Sequence, residues 1–178
     1  MYDIRYEKNN RDWYSGAGKS FLSRQVSQDL NLPLYHLDHI FHLPKGEMLD
    51  RSLFLAEQKK ILSEAAWVID GNYAGSLPDR VAEADTIIWL DFPAWLCVMR
   101  VFRRSLRFRR DKSTRPDMAV HFEERLFSRD YAAFLYFVAS FNRKVRPKIL
   151  TAVNQRSANT DLIILKNKQD VMRFLSQL

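Results

Sequence analysis

The chain has 178 residues, of which 47% are hydrophobic and 28% charged, with a net charge of +7 and an isoelectric point near 9.6. This composition suits one globular domain covering the whole chain, with a sizeable core. The single Cys97 excludes a disulfide framework, and without a signal-peptide pattern we expect a cytoplasmic location. The most apolar stretch, residues 86–102, contains Asp91, Pro93 and Arg100, so we expect no membrane span.

Residues 15–20, Ser-Gly-Ala-Gly-Lys-Ser, carry the second half of a phosphate-binding P-loop. In the full pattern, G-x-x-x-x-G-K-[ST], backbone N–H groups surround phosphate oxygens, the lysine meets the β- and γ-phosphates, and the hydroxyl helps to hold Mg²⁺. Lys19 is therefore the predicted catalytic lysine and Ser20 a predicted magnesium ligand. The predicted nucleotide-binding residues of this segment are Ser15, Gly16, Ala17, Gly18, Lys19, Ser20 and Phe21.

The first half of the motif is missing. Trp13 stands where the first glycine belongs, and residues 6–12 are polar, although a P-loop normally follows a buried apolar strand. We therefore expect the first strand to be corrupted within residues 1–13, either by natural divergence into a disordered segment or by a frameshift. Trp13 could alternatively stack on an adenine.

The genetic code supports the frameshift hypothesis. Residues 6–13 can be encoded as TAT GAA AAA AAT AAT CGT GAT TGG, and reading one base later gives Met-Lys-Lys-Ile-Ile-Val-Ile-Gly. That peptide supplies an initiator methionine, a β-branched strand and the missing glycine in the register of the motif. A single-base deletion near codons 13–14 would explain the sequence, and a GAG codon for Glu7 would exclude this explanation.

Apolar periodicity predicts alternating helices and strands downstream. After Ser20, a helix has Leu22, Val26 and Leu30 on one face, and the segment 31–33 ends it. Strands are predicted at 34–38, 67–70, 86–91 and 161–166, and helices at 51–66, from 93 onward, at 119–141 and at 168–178. The helix from Pro93 is predicted to bury a stripe of Trp95, Met99, Phe102 and Leu106.

This alternation predicts a parallel sheet covered by helices, in which ligands bind at the carboxyl ends of the strands. Asp38, Asp70 and Asp91 all fall at predicted carboxyl ends. Asp38 is a predicted catalytic and substrate-orienting residue, and Asp91 a predicted magnesium ligand of the Walker B type. Asp91 could instead cap the next helix. Asp70 and Asn72 are predicted substrate contacts, although Asp70-Gly71 could equally form a simple turn.

Basic residues dominate the segment from Arg100 to Arg115, where Asp111 is the lone acidic residue. This segment could close over the phosphates of a small ligand as a lid at about 100–118, bind nucleic acid, or form a solvated face. We favour the lid, with Arg100 contacting nucleotide and Arg104 and Arg115 stabilising the transferred phosphoryl group. His36, His39 and His42 invite a metal-binding interpretation, which we disfavour because cysteine partners are missing.

Several stretches resemble the bacterial topology-modulation (FlaR-related) proteins, which are P-loop proteins of the adenylate- and shikimate-kinase-like group. The matching stretches are 15–20, 35–38, 69–73, 90–96, 114–118 and 146–150. The resemblance implies a three-layer α/β/α fold with a parallel sheet in the order 2-3-1-4-5. It also implies a phosphate loop at Gly16 and 18–20, with Arg100, Arg104 and Arg115 as lid-side phosphate contacts.

The predicted function is therefore that of an ATP-binding kinase-like phosphotransferase or NTPase, which uses Mg²⁺ and acts on an unknown small-molecule acceptor. One alternative is a basic DNA-associated regulatory protein that binds nucleic acid through residues 100–115. Another is an inactive product of a frameshifted gene.

Overall fold

The computed structural model of the chain describes residues 6–9, 18–43, 47–71, 73–111 and 128–178. Five of the predicted site residues lie outside this part of the chain, and their predicted roles stay predictions. They are Ser15, Gly16, Ala17, Asn72 and Arg115. Within the described residues, helices and parallel strands form one α/β sheet structure.

The sheet confirms the predicted fold class and strand order. Its strands are β1 (Tyr6–Asn9), β2 (Leu34–His36), β3 (Val68–Gly71), β4 (Thr86–Leu90) and β5 (Asp161–Leu165). They are arranged in the order β2-β3-β1-β4-β5, and every pairing is parallel.

The polar segment before the P-loop forms the central strand in spite of its corrupted sequence. The backbone of Tyr6–Asn9 pairs along its whole length with Val68–Gly71, and Tyr6 and Glu7 pair with Thr86 and Ile87. Both β3 and β4 present backbone N–H and C=O groups toward the position between them, which β1 occupies. Buried backbone groups of this kind need hydrogen-bond partners. The need to satisfy those groups outweighs the low strand propensity of the sequence Tyr-Glu-Lys-Asn.

Helices connect the strands largely where the periodicity predicts them. Their bounds are α1 (Lys19–Asp29), α2 (Leu37–Phe41), α3 (Arg51–Leu62), α4 (Leu77–Glu83), α5 (Ala94–Arg110), α6 (Arg129–Lys144), α7 (Arg146–Asn154) and α8 (Lys168–Leu175). A short 3-10 helix over Ala74–Ser76 precedes α4. Among the described helices, none is long and apolar enough to cross a membrane.

The core lies between the sheet and its helices. Leu22 and Val26 of α1 pack with the fully buried residues of β3 and β4, as the predicted apolar face of α1 requires. The prediction for α5 is wrong in its choice of face. Trp95 is 68% exposed and Leu106 40% exposed, whereas Cys97 and Val101 are fully buried. The two candidate stripes of α5 are both apolar, so periodicity alone could not decide which one faces the core.

Candidate functional site

The described half of the P-loop has the backbone conformation that this motif requires. Gly18 adopts a left-handed conformation with φ of 93° and forms the N-cap of α1. A side chain there would be strained, which explains the glycine. Lys19 and Ser20 then form the first turn of an 11-residue helix, whose N-terminal N–H groups and dipole favour an anion at this end. Phe21, predicted to contact nucleotide, is 51% exposed.

Lys19 and Arg100, two predicted phosphate contacts, both affect the thiol of one buried cysteine. Both positive charges act on the thiol of Cys97, which lies buried in the first turn of α5. Burial raises the pKa of Cys97 to about 12, and Arg100 and Lys19 oppose that shift. The Arg100 guanidinium also stacks 4.9 Å from the ring centre of Phe92.

Asp70, a predicted substrate contact, lies at the end of β3 as the centre of a buried polar cluster. The residue is only 4% exposed. Its Oδ2 lies 3.0 Å from Nδ1 of His36 and 3.3 Å from Oγ of Ser23. The Ser23 hydroxyl also lies 3.1 Å from the carbonyl oxygen of Lys19. This cluster therefore joins the ends of β2 and β3 to the first turns of the P-loop helix.

Asp38 lies on the first turn of α2, not at the end of a strand as predicted, because β2 ends at His36. Its Oδ1 accepts a hydrogen bond from the hydroxyl of Tyr73 at 3.3 Å. The Tyr73 ring packs on Phe41 and Phe54, with ring centres 4.9 and 4.6 Å away. Asp38 thus keeps a position at the carboxyl edge of the sheet, supported by an aromatic cluster.

The backbone that carries Asp70 is held in place by close packing and by a buried arginine. A Cβ added to Gly71 would lie 2.5 Å from Cβ of Leu37, so the end of β3 approaches α2 closely. Arg80 is fully buried and donates hydrogen bonds to the carbonyl oxygens of Gly71 and Tyr73 at 2.9 and 3.2 Å. Gly71 therefore belongs to a packed strand end and not to an open turn.

Asp91, the predicted Walker B carboxylate, follows β4 and is engaged by an arginine. Nε and Nη2 of Arg146 donate to Oδ1 and Oδ2 of Asp91 at 3.1 and 2.9 Å. The same guanidinium lies 5.2 Å from the ring centre of Trp89. A magnesium ion bound directly by Asp91 would compete with this bidentate ion pair, and the predicted metal role stays a prediction.

The predicted carboxylates share one edge of the sheet but are not adjacent. Because β1 lies between β3 and β4, the ends of these strands are about 10 Å apart in the plane of the sheet. Asp70 therefore groups with His36 and Ser23, and Asp91 groups with Arg146. Within the described residues, no cluster of three or more metal-binding side chains is present. His36, His39 and His42 therefore do not form such a cluster.

The arginines of α5 differ in exposure. Arg100 and Arg104 are half-buried, whereas Arg103, Arg107 and the pair at 109–110 are exposed. Arg104 lies one helical turn beyond Arg100, and its predicted catalytic role stays a prediction. The exposed group forms a positively charged surface at the end of α5.

Three residues of this site were not singled out from the sequence as functional. Ser23 and Arg80 sit inside amphipathic helices, where a polar residue in a mostly buried position was the available signal. Arg146 is paired with a residue that is distant in sequence. His36 was considered as a metal ligand only, and its position two residues before Asp38 gave no sign of its contact with Asp70.

Comparisons with known proteins find similarity among solved structures only. No protein-family model matches the chain, and no curated protein matches its sequence. Among solved structures, shikimate kinase from Acinetobacter baumannii in complex with shikimate is similar, with a TM-score of 0.57 and 13% identity over 99% of this chain and 90% of that chain. A gluconokinase from Sinorhizobium meliloti has a TM-score of 0.50 and 12% identity, covering 99% and 94% of the two chains.

A second shikimate kinase, from Aquifex aeolicus, has a TM-score of 0.50 and 15% identity, covering 98% of this chain and 95% of that one. Identities this low show the fold alone. The chain therefore has the α/β fold of the shikimate kinase-like P-loop kinases.

Proposed function

We propose that this protein is a kinase-like phosphotransferase or NTPase that binds Mg-ATP at the N-terminus of α1. The observation that carries the proposal is the left-handed Gly18 followed directly by Lys19 and Ser20 at the start of that helix. Such a helix end directs N–H groups toward phosphate oxygens, and Lys19 adds a positive charge for the β- and γ-phosphates. We also propose a cytoplasmic location.

The residues present fit a magnesium–nucleotide complex. Ser20 supplies a hydroxyl and Asp91 a carboxylate, both of them oxygen ligands of the kind that Mg²⁺ prefers. When bound, the metal would neutralise charge on the phosphates. Arg100 would contact the nucleotide phosphates. Arg104 and Arg115 would complete the lid.

The acceptor of the phosphoryl group would bind on the other side of β1, near Asp38 and Asp70. Both carboxylates are held by neighbouring side chains, Asp38 by Tyr73 and Asp70 by His36 and Ser23. Positioning of this kind accounts for much of the catalysis of phosphoryl transfer, because the reaction needs little covalent chemistry from the protein. Asn72 remains part of the proposed acceptor site.

The test is ATP turnover and Mg-ATP binding by Lys19→Ala. We expect a loss of turnover of about 10²-fold or more, because a charge that stabilises the transferring phosphoryl group is removed. Lys59→Ala, which removes an exposed lysine of α3, is the matched control and should behave as the unaltered protein. Equal turnover in Lys19→Ala and Lys59→Ala would contradict the proposal.

A second candidate function is regulation of DNA topology through direct binding of DNA, as the resemblance to the topology-modulation proteins implies. The exposed arginines of α5 favour it, since they form a surface that could neutralise backbone phosphates. Binding of this kind should weaken steeply with salt and should survive Lys19→Ala. If ATP binding and added stability appeared only after repair of the first strand, the written chain would instead be an inactive product of a frameshifted gene.

A further inference from the structure

The buried Asp70 and the half-buried His36 form a pair of the kind that orients a general base. Nδ1 of His36 lies 3.0 Å from Oδ2 of Asp70. An ionised carboxylate can only accept hydrogen bonds, so Nδ1 carries the proton and donates a hydrogen bond to Asp70. The other ring nitrogen, Nε2, is then unprotonated in the neutral imidazole and can accept a proton.

The position of the pair connects it to the phosphate-binding end of α1. Ser23 lies between them, because its hydroxyl is 3.3 Å from Oδ2 of Asp70 and 3.1 Å from the carbonyl oxygen of Lys19. The His36 side chain is 21% exposed while that of Asp70 is 5% exposed. The carboxylate is therefore on the inner side of the pair, and the imidazole is the member that solvent or a ligand can reach.

The groups that surround His36 come from three elements. Asp70 contacts it from β3, and the hydroxyl of Ser23 on α1 shares the same carboxylate oxygen. On α2, the ring of His39 lies with its centre 5.1 Å from that of His36, and Asp38 lies in the same turn.

We propose that His36, oriented by Asp70, is the general base that deprotonates the phosphoryl acceptor, and that the acceptor reacts through a hydroxyl group. This inference rests on the proposed function. The acceptor oxygen forms a bond to the γ-phosphorus of ATP while the bond from that phosphorus to the bridging oxygen of ADP breaks. The electron pair of the broken bond leaves with ADP, and the hydroxyl proton passes to Nε2 of His36.

A general base at this site indicates an acceptor that reacts through a hydroxyl group and not through a phosphate group. A phosphate monoester has its second pKa near 6, so its attacking oxygen is already deprotonated at neutral pH and needs no base. Water has a pKa of about 15.7, and an alcohol hydroxyl likewise keeps its proton until a base removes it. A preformed carboxylate–imidazole pair would therefore accelerate phosphoryl transfer to a polyol or a hydroxy acid, and would have little effect on transfer to a nucleoside monophosphate.

The first test is spectroscopic and needs no acceptor. Long-range ¹H–¹⁵N NMR of the histidine-labelled full chain at neutral pH should show His36 protonated at Nδ1 and not at Nε2. The opposite tautomer would overturn the proposal, whatever the protein does with ATP. In Asp70→Asn, the new amide can donate to Nδ1, so the tautomer should change to Nε2–H, as expected when a carboxylate that orients an imidazole becomes an amide.

The second test measures transfer from [γ-³²P]ATP to water, shikimate and gluconate as hydroxyl acceptors and to AMP as a phosphate acceptor. We expect transfer to at least one hydroxyl acceptor and little to AMP. His36→Gln and Asp70→Asn should lower this transfer by about 10²-fold or more. His39→Gln is the matched control and should not change it.

A Mg-ATP thermal shift, measured on the same variants, distinguishes failure of the general-base proposal from failure of the proposed function. An unchanged shift with slow transfer in His36→Gln supports the general base. An unchanged shift with unchanged transfer, or a preference for AMP, overturns the general base and leaves the proposed function intact. No Mg-ATP shift in the unaltered protein overturns the proposed function, while the tautomer still decides whether the pair exists as described.

Discussion

The neighbouring strands β3 and β1 pair in register along four residues, yet their sequences are opposite in character. β3 reads Val-Ile-Asp-Gly, and its residues are all buried, as expected of a strand inside a parallel sheet. β1 reads Tyr-Glu-Lys-Asn and occupies the position at the centre of the same sheet. Its Glu7 pairs in register with Ile69 and Ile87, both fully buried.

This difference separates what the fold requires from what the local sequence supplies. The backbone groups of β3 and β4 require a central strand, and the chain provides one in spite of its polar composition. The proposed acceptor side of the sheet edge, at β2 and β3, has the buried contacts of Asp70 with His36 and Ser23. On the nucleotide side, the sequence agrees with a phosphate site from Gly18 onward and disagrees with it upstream.

The largest expected effect comes from repairing the segment before the P-loop. A chain that begins Met-Lys-Lys-Ile-Ile-Val-Ile-Gly and continues at Tyr14 carries Ile-Ile-Val-Ile at positions 9–12, of which position 9 is the end of β1. It should be more stable than the written chain by about 5 kcal/mol, because each Ile or Val that becomes buried contributes roughly 1.5–3 kcal/mol. Urea unfolding measures the difference. A control that begins Met-Lys-Lys-Asn-Asn-Thr-Asn-Gly has the same length and a polar strand. Equal stability of the repaired and control chains would refute the frameshift hypothesis.

A substitution at the end of β3 should weaken the acceptor side. Gly71→Ala places a Cβ 2.5 Å from Cβ of Leu37, so α2 must shift, at a cost of about 2 kcal/mol. Gly75→Ala is the control, since the nearest atom to its added Cβ is Nη2 of Arg51 at an ordinary 3.5 Å. Thermal unfolding should show a clear loss for Gly71→Ala alone. Similar melting temperatures of the two variants would mean that α2 adapts freely.

The ion pair on the nucleotide side predicts a smaller effect. Arg146→Gln removes both donors from Asp91, whose side chain is 16% exposed, and should cost about 1 kcal/mol because Arg146 itself is 37% exposed. Lys148→Gln, at an exposed position of the same helix, should cost little. If Asp91 binds magnesium, Arg146→Gln should lower and Asp91→Asn raise the Mg²⁺ concentration that ATP binding needs. An unchanged requirement in both variants argues for a purely structural pair.

The smallest expected effect concerns the buried thiol of Cys97. Its pKa is raised by burial from 9.0 to about 12, so the unfolded chain releases the thiol proton first. The contribution of this thiol to stability is therefore lost as the pH rises from about 9 toward 12. Urea unfolding at pH 8 and at pH 10 should show a smaller decrease for Cys97→Ala than for the unaltered protein. An equal decrease in both would mean that the thiol is not buried.

The sequence predicts the parts of this molecule that depend on local patterns. The apolar face of α1, the β-branched run of β4 and the strand order follow from periodicity, composition and the resemblance to P-loop kinases. The P-loop helix begins at Lys19 because the motif itself prescribes a glycine before it.

Other features depend on contacts between distant segments and cannot be predicted from one sequence. The contacts of Asp70 with His36 and Ser23 need β2, β3 and α1 to meet at one edge. The pairing of Asp91 with Arg146 needs α7 to return to the end of β4. The exposed position of Trp95 on α5 depends on which of two apolar faces its neighbours cover.

The central claim is that the chain carries a Mg-ATP site at Gly18–Ser20 whose upstream half has been altered, and a Mg-ATP thermal-shift titration of the written and repaired chains tests it most directly. Ligand that binds only the folded state raises stability by RT ln(1 + [L]/Kd), or about 2.7 kcal/mol at a hundredfold excess over Kd. We expect Mg-ATP to raise the melting temperature of the repaired chain strongly and that of the written chain less. No shift in either well-folded protein would contradict the account.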